Sequence, residues 1–141
     1  MKVAKNTGDR LSPDPSTKVG AVIFRPGKFI SSGANHFPPG TPEEYWADRV
    51  LKYPHVVHAE ATALLGAGWE ARDSVLACSA QPCVACAALI AEAGIRCVIC
   101  PSQPWRDVPE VVTSCQQGAA IFERAGIEVI HVDLKDDEYV K

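Results

Sequence analysis

Residues 74–100 read SVLACSAQPCVACAALIAEAGIRCVIC, and the pattern changes twice within them. Ser74 to Ser79 is a short apolar run of the length of a buried strand, and Ile95 to Cys100 is another. Between them, CVACAALIAEAG is rich in Ala, Leu and Ile, favours a helix, and meets a stop signal at Gly94. A strand, a helix and a strand joined by short connections predict a right-handed crossover between parallel strands.

The neighbouring segments extend this unit in both directions. Upstream, VGAVIFR at Val19 to Arg25 and KFISSG at Lys28 to Gly33 flank Pro26-Gly27, which predicts an antiparallel hairpin. A run around residues 57–66 places Ala and Leu at helical spacing, with Pro54 upstream as a start signal and Gly66 and Gly68 as its end. Downstream, a helix is expected over roughly 111–125 and a last strand at Ile127 to Val132. The order β-β-α-β-α-β-α-β specifies an α/β fold, a mixed five-stranded sheet between helical layers. Residues 33–45, GANHFPPGTPEEY, and 101–109 are dense in Pro and Gly and read as loops, the first near a site mouth. With no repeat or linker, residues 1–141 are expected to form a single domain.

Composition narrows the function. The chain has 141 residues, 47% hydrophobic and 22% charged, which is globular and not disordered. Its net charge of −3 and scattered Lys and Arg argue against long nucleic acid as a partner and favour a small molecule. The N-terminal stretch turns polar after four residues and no later run reaches membrane-spanning length, so a cytoplasmic location and no membrane partner are expected. In that reducing setting the six cysteines read as thiols or metal ligands and not as disulfides.

Two of those cysteines carry the chemistry. His58-Ala59-Glu60 opens one expected helix and Pro82-Cys83-Val84-Ala85-Cys86 opens another. One imidazole and two thiolates suit Zn²⁺, and three protein ligands leave the fourth tetrahedral position to water, as in a catalytic site. The helix start favours negative sulfur at Cys83 and Cys86 through the macrodipole and free amides. Glu60, two residues from a ligand, is placed for general acid–base work. H-x-E followed by P-C-x-x-C is the signature of zinc-dependent nucleobase deaminases.

Beyond the zinc motifs, SPDPSTKVGAVIF at 12–24, GANHFPPG at 33–40, KYPHVVHAE at 52–60 and QPCVACAALIAEAGI at 81–95 together resemble the deoxycytidylate deaminase family. The resemblance covers approximately Ser12 to Val132. It implies the three-layer α/β/α cytidine-deaminase-like fold, a zinc cofactor and the conversion of deoxycytidylate, or a modified analogue, to deoxyuridylate and ammonia. It further implies that Asn35 contacts the sugar, that the Ala59 amide meets the pyrimidine carbonyl, and that carbonyls near Ser79 and Ala80 accept from the amine. Homo-oligomers, often hexamers, belong to the same family pattern.

The sequence departs from that pattern in four places. The motif read as GYNG in relatives is Gly33-Ala34-Asn35-His36, and a histidine in place of the last glycine adds bulk and removes backbone freedom, so triphosphate regulation is not expected. Leu11 stands where relatives carry an arginine ahead of the Asp-Pro pair, with Arg10 beside it. That leaves Arg10, Lys18, Arg25, Arg49, Lys52 and Arg106 as anion partners, with no choice among them. Thr62 and Gln81 replace an Asn and an aromatic residue, which keeps deaminases of free bases, nucleosides or purines as the alternative, with a non-catalytic zinc module further off.

Several other residues invite a sharp reading and have a plainer one. Cys97 and Cys100 are three apart in a strand, face opposite sides and read as small buried hydrophobes, as does Cys78. Cys115 reads as a free thiol near a helix start. His55 is balanced between site border and surface, His131 is expected to be structural, and His36 to touch substrate or effector. Trp105 either stacks on a base or packs under its loop.

Overall fold

The computed structural model describes residues 1–133, so the last eight residues of the expected single domain lie outside the described residues. Strands β1 (Gly20–Arg25) and β2 (Lys28–Ala34) form the hairpin, turning at Gly27 with φ of 73°. Strands β3 (Val75–Cys78), β4 (Cys97–Pro101) and β5 (Glu128–Val132) complete a five-stranded sheet in the order β2-β1-β3-β4-β5. β1 runs antiparallel to both β2 and β3, whereas β3, β4 and β5 are mutually parallel. The mixed sheet is therefore as the sequence predicts.

Helices α1 (Lys2–Leu11), α2 (Arg49–His55), α3 (Ala59–Ala67), α4 (Val84–Glu92) and α5 (Pro109–Ala125) surround it. The strand period of two divides the sheet into faces. Ala21, Ile23, Leu76, Cys78, Val98 and Cys100 pack with Ala59 and Ala63 of α3, Ala87 and Ile90 of α4, and Phe122 of α5. Val22, Ala77, Phe24 and Ile99 meet Ala4 of α1 on the other face. Two successive crossovers of one hand put α4 and α5 on the same side, which leaves α1 to cover the opposite one. Cys97 and Cys100 are both buried, and all six cysteines are unpaired thiols.

The elements differ from the expected ones in four places. The expected element order holds no helix before the hairpin, yet Lys2–Leu11 forms α1; it is amphipathic, with Val3, Ala4, Gly8 and Leu11 at helical spacing, but buries only Ala4 and Gly8. It seats by close approach of glycines: a Cβ on Gly8 would fall 2.6 Å from the Gly20 nitrogen, so only bare backbone fits. Pro54 lies inside α2 and does not start the next helix. Helix α3 begins at Ala59 and not near residue 57, because Val57 is held extended by a two-way bridge with His36, at 2.7 and 3.1 Å. The expected loop over 33–45 also ends in a 3₁₀ turn, Glu43–Ala47. No helix among the described residues is long and apolar enough to cross a membrane.

Candidate metal centre and substrate cavity

The shortened start of α3 makes His58 its N-cap, and Cys83 is the N-cap of α4. The two helix starts meet beyond the carboxyl end of β3, where ligands collect in open α/β sheets. His58 Nδ1 lies 3.5 Å from Cys83 Sγ and 3.3 Å from Cys86 Sγ. All three donor atoms fall within 4.8 Å of one another, and no other such group of three occurs among the described residues. A tetrahedral zinc with bonds of about 2.3 Å to sulfur and about 2.0 Å to nitrogen needs an N···S separation of about 3.5 Å. The donor set and its spacing thus fit zinc, and no fourth His, Cys, Asp or Glu closes the site among the described residues.

The electrostatics agree with a cation site. The Cys83 thiol is held down to about 4, chiefly by a hydrogen bond from Cys86, with burial opposing and His58 assisting. The Cys86 thiol is pushed up in return, first because it keeps its proton to donate to Cys83, then by burial, with the charges of Glu60 and Cys83 adding to both. The His58 imidazole is raised, first by its hydrogen bond with Cys83, against burial, and then by the charges of Glu60 and Cys83. Glu60 is 4% exposed, and burial pushes its carboxyl above the ordinary range despite the pull of His58. A carboxyl so placed holds a proton more readily than one in water.

His58, Glu60 and Cys83 border a cavity of about 450 Å³ that also touches Asp14, Asn35, Trp46, Lys52, Ala59, Ala80, Gln81 and Trp105. Its floor is closed by Ala59, fully buried, whose amide sits in the first turn of α3 and has no intrahelical partner. Asn35 is largely committed. Its Nδ2 donates to Thr17 O at 2.8 Å and Asp14 Oδ2 at 3.3 Å, and its Oδ1 accepts from Val19 N at 2.9 Å. One lone pair on Oδ1 remains for a ligand. Ser79 borders a smaller neighbouring cavity instead, with its hydroxyl accepting from Gly20 N at 2.9 Å.

The remaining candidates separate cleanly. Trp105 lines the main cavity, and so do Arg49, Lys52 and Arg106 of the six basic residues. Lys18 is spent on Ser12 O at 2.6 Å, and Arg25 on the carbonyls of Glu70 and Arg72, both at 3.0 Å. Arg10 is exposed in the last turn of α1. His55 lies outside the cavity, edge-on to Tyr45, and His36 turns back to Ala34 O at 2.9 Å. His131 is exposed on β5 beside Pro101 O, and Thr62 Oγ1 bonds back to His58 O.

The sequence reading missed one feature of the cavity wall. Asp14, 1% exposed, accepts from Ser16 N, Thr17 N and the Ser16 hydroxyl and pairs with Lys52 Nζ at 2.8 Å. Burial would raise its carboxyl, but the Lys52 ammonium and these donors together hold it below the ordinary value. Asp-Pro-Ser-Thr is a recognisable Asx-turn string, yet nothing in it says that a lysine 38 positions later supplies the cation.

A histidine and two thiols at paired helix starts, with a buried carboxyl beside them and this sheet behind, define a zinc-dependent deaminase, an enzyme of the hydrolase class. Comparison with known proteins agrees. Residues 1–102 match the family described as the cytidine and deoxycytidylate deaminase zinc-binding region. Mouse deoxycytidylate deaminase is 34% identical over 139 residues, covering 90% of this chain and 74% of that protein. An uncharacterized deaminase in the luxG 3′ region of Aliivibrio fischeri is 36% identical over 124 residues, covering 87% and 84%. The dCMP deaminase of cyanophage S-TIM5, solved in complex with dCMP and dUMP, superposes with a TM-score of 0.70 at 25% identity over 93% and 92% of the two chains. The chain belongs to the deoxycytidylate deaminase family of the zinc-dependent cytidine deaminase superfamily. Its reaction is nucleotide deamination.

Proposed function

We propose that the substrate is deoxycytidylate, or a modified analogue, converted with water to deoxyuridylate and ammonia. The observation that carries this is the His58, Cys83 and Cys86 group with Glu60 buried beside it in a cavity of about 450 Å³, a volume suited to a small molecule. The names of the mouse and phage relatives support the choice of nucleotide.

In this reading His58, Cys83 and Cys86 hold zinc, which when bound supplies Lewis-acid activation of a water at its remaining position. Glu60 would take two protons in turn from the attacking water oxygen, passing the first to the ring nitrogen and the second to the departing amine, so the carboxyl ends as it began. The Ala59 amide donates to the pyrimidine carbonyl, which fixes the ring's orientation. The carbonyl of Ala80, which lines the cavity, accepts from the amine, and Asn35 Oδ1 uses its remaining lone pair on a sugar hydroxyl. The same reading takes residues 1–141 as one domain acting as a cytoplasmic homo-oligomer.

The test is ammonia release, with the accompanying loss of cytosine absorbance, from purified zinc-loaded protein. The panel contains cytosine, cytidine, deoxycytidine, their monophosphates, and adenine and guanine compounds. Deoxycytidylate is expected to give the highest kcat/KM. Turnover of a purine or free base in preference would replace it, and silence toward every cytosine compound would remove the proposal.

A further inference from the structure

Three basic side chains border the cavity, and they are not equivalent. Lys52 is buried, 2.8 Å from Asp14 and 3.2 Å from the Ser16 hydroxyl, with its ammonium 5.6 Å from the centre of the Trp46 ring. Its charge is neutralised inside the protein. Arg49 and Arg106 are exposed, and neither makes a hydrogen bond or ion pair among the described residues.

The two arginines reach the cavity from separate segments. Arg49 opens α2, and Arg106 sits in the loop between β4 and α5, next to Trp105. The cavity therefore has a buried part at Ala59 and Glu60 and a solvent end that the exposed Arg49 and Arg106 border. Since Asp14 and Lys52 cancel, that solvent end is cationic, although the chain as a whole carries −3. A heterocycle seated at the floor would carry its far end outward to the arginines. A guanidinium is planar, permanently charged and matched to two oxygens of a phosphate. Leu11, at the position where the family pattern led one to look for an arginine, is 63% exposed and does not border the cavity.

We infer that Arg49 and Arg106 bind the 5′-phosphate from two sides and make this chain select nucleoside monophosphates over nucleosides and free bases. This rests on the deoxycytidylate reading for the identity of the base, but not for the identity of the anion. It also assigns Lys52 a structural role and not a phosphate-binding one.

The experiment compares wild type with Arg49→Gln, Arg106→Gln, the double variant and Arg→Lys at each position, all zinc-loaded. Two readouts are taken: kcat/KM for deoxycytidylate and deoxycytidine, and calorimetric binding of deoxyuridylate, deoxyuridine and inorganic phosphate. Each Gln variant is expected to lose ~10-fold or more for both monophosphates, and the double ~100-fold or more, as for lost charge-assisted hydrogen bonds. The nucleosides should change less than about threefold, and Arg→Lys should fall between, since it keeps charge without the fork. A double variant that keeps its deoxyuridylate affinity, or that loses monophosphate and nucleoside alike, overturns the inference. If no cytosine compound is deaminated, the substrate proposal falls separately, and binding still decides. Phosphate and deoxyuridylate binding lost in the double variant supports the clamp, and no binding by wild type sinks it.

Discussion

Replacing Lys52 with Met should expose how the cavity wall is held. The substitution keeps most of the side-chain volume and leaves Asp14, 1% exposed, without its cation. Breaking one side of a buried pair costs about 3–5 kcal/mol. Asp14 keeps donors from Ser16, Thr17 and Asn35, which argues for the lower end, about 3 kcal/mol. For a chain of this size that is a fall in Tm of roughly 10 °C. The sign with pH follows from the depressed Asp14 carboxyl. In wild type its stabilisation is fully present above the ordinary aspartate value near 3.8 and is lost as pH falls through the lower folded value. In the variant, burial is left to raise that carboxyl, so protonation relieves it and the deficit shrinks toward acid. Urea unfolding of both proteins at pH 7 and pH 4.5 measures this, and comparing variants at each pH cancels effects they share. Asp14→Asn with Lys52→Met should recover part of the loss. A single variant within about 0.5 kcal/mol of wild type at pH 7, or a double variant no better than the single, would refute the reasoning.

Other perturbations separate the parts of the site. Glu60→Gln should lower kcat by about 10²-fold or more while metal content stays at the wild-type level, read by ammonia release and elemental analysis of the same sample. Cys83→Ser and Cys86→Ser should each reduce zinc retained after dialysis, and Cys97→Ser should not, since Cys97 is buried outside the donor group. Treatment with a chelator should lower the Tm of wild type and leave that of a His58, Cys83, Cys86 triple variant unmoved, because a ligand stabilises only the state that binds it. Gly8→Ala should cost about 1–3 kcal/mol in denaturant unfolding, because its Cβ would meet backbone at Val19 and Gly20 and not a yielding side chain.

Much of the fold is legible where burial writes a pattern. SVLACS, IRCVIC and the Ala-rich stretch between them become β3, β4 and α4 because each buries apolar side chains with the period of its element. Helix α1 is harder to read: Val3 and Leu11 of its apolar stripe stay exposed, and its contact with the sheet is made by Ala4, Gly8 and Gly20, whose only signal is small size. The start of α3 is displaced by a long-range bridge between His36 and Val57, and α2 survives a Pro at its penultimate position, effects that no window of local sequence contains.

The site divides along the same line. Short spacings such as H-x-E and C-x-x-C translate directly into geometry, because each set of donors leaves one helix start, and the structure brings His58, Cys83 and Cys86 together. The cavity wall does not translate so simply. Asp14 and Lys52, and the arginines at 49 and 106, are brought to one cavity by the tertiary fold, and their sequence neighbours give no sign of it. Asn35 shows the limit in another form, since most of the hydrogen bonds of its amide are used to hold the 14–19 turn.

X-ray absorption at the zinc edge of the purified protein tests the central claim most directly. The account predicts two sulfur neighbours at about 2.3 Å and two lighter ones at about 2.0 Å, one from imidazole and one from solvent. A shell with three or four sulfurs, or one in which a second protein nitrogen replaces the solvent oxygen, would contradict it.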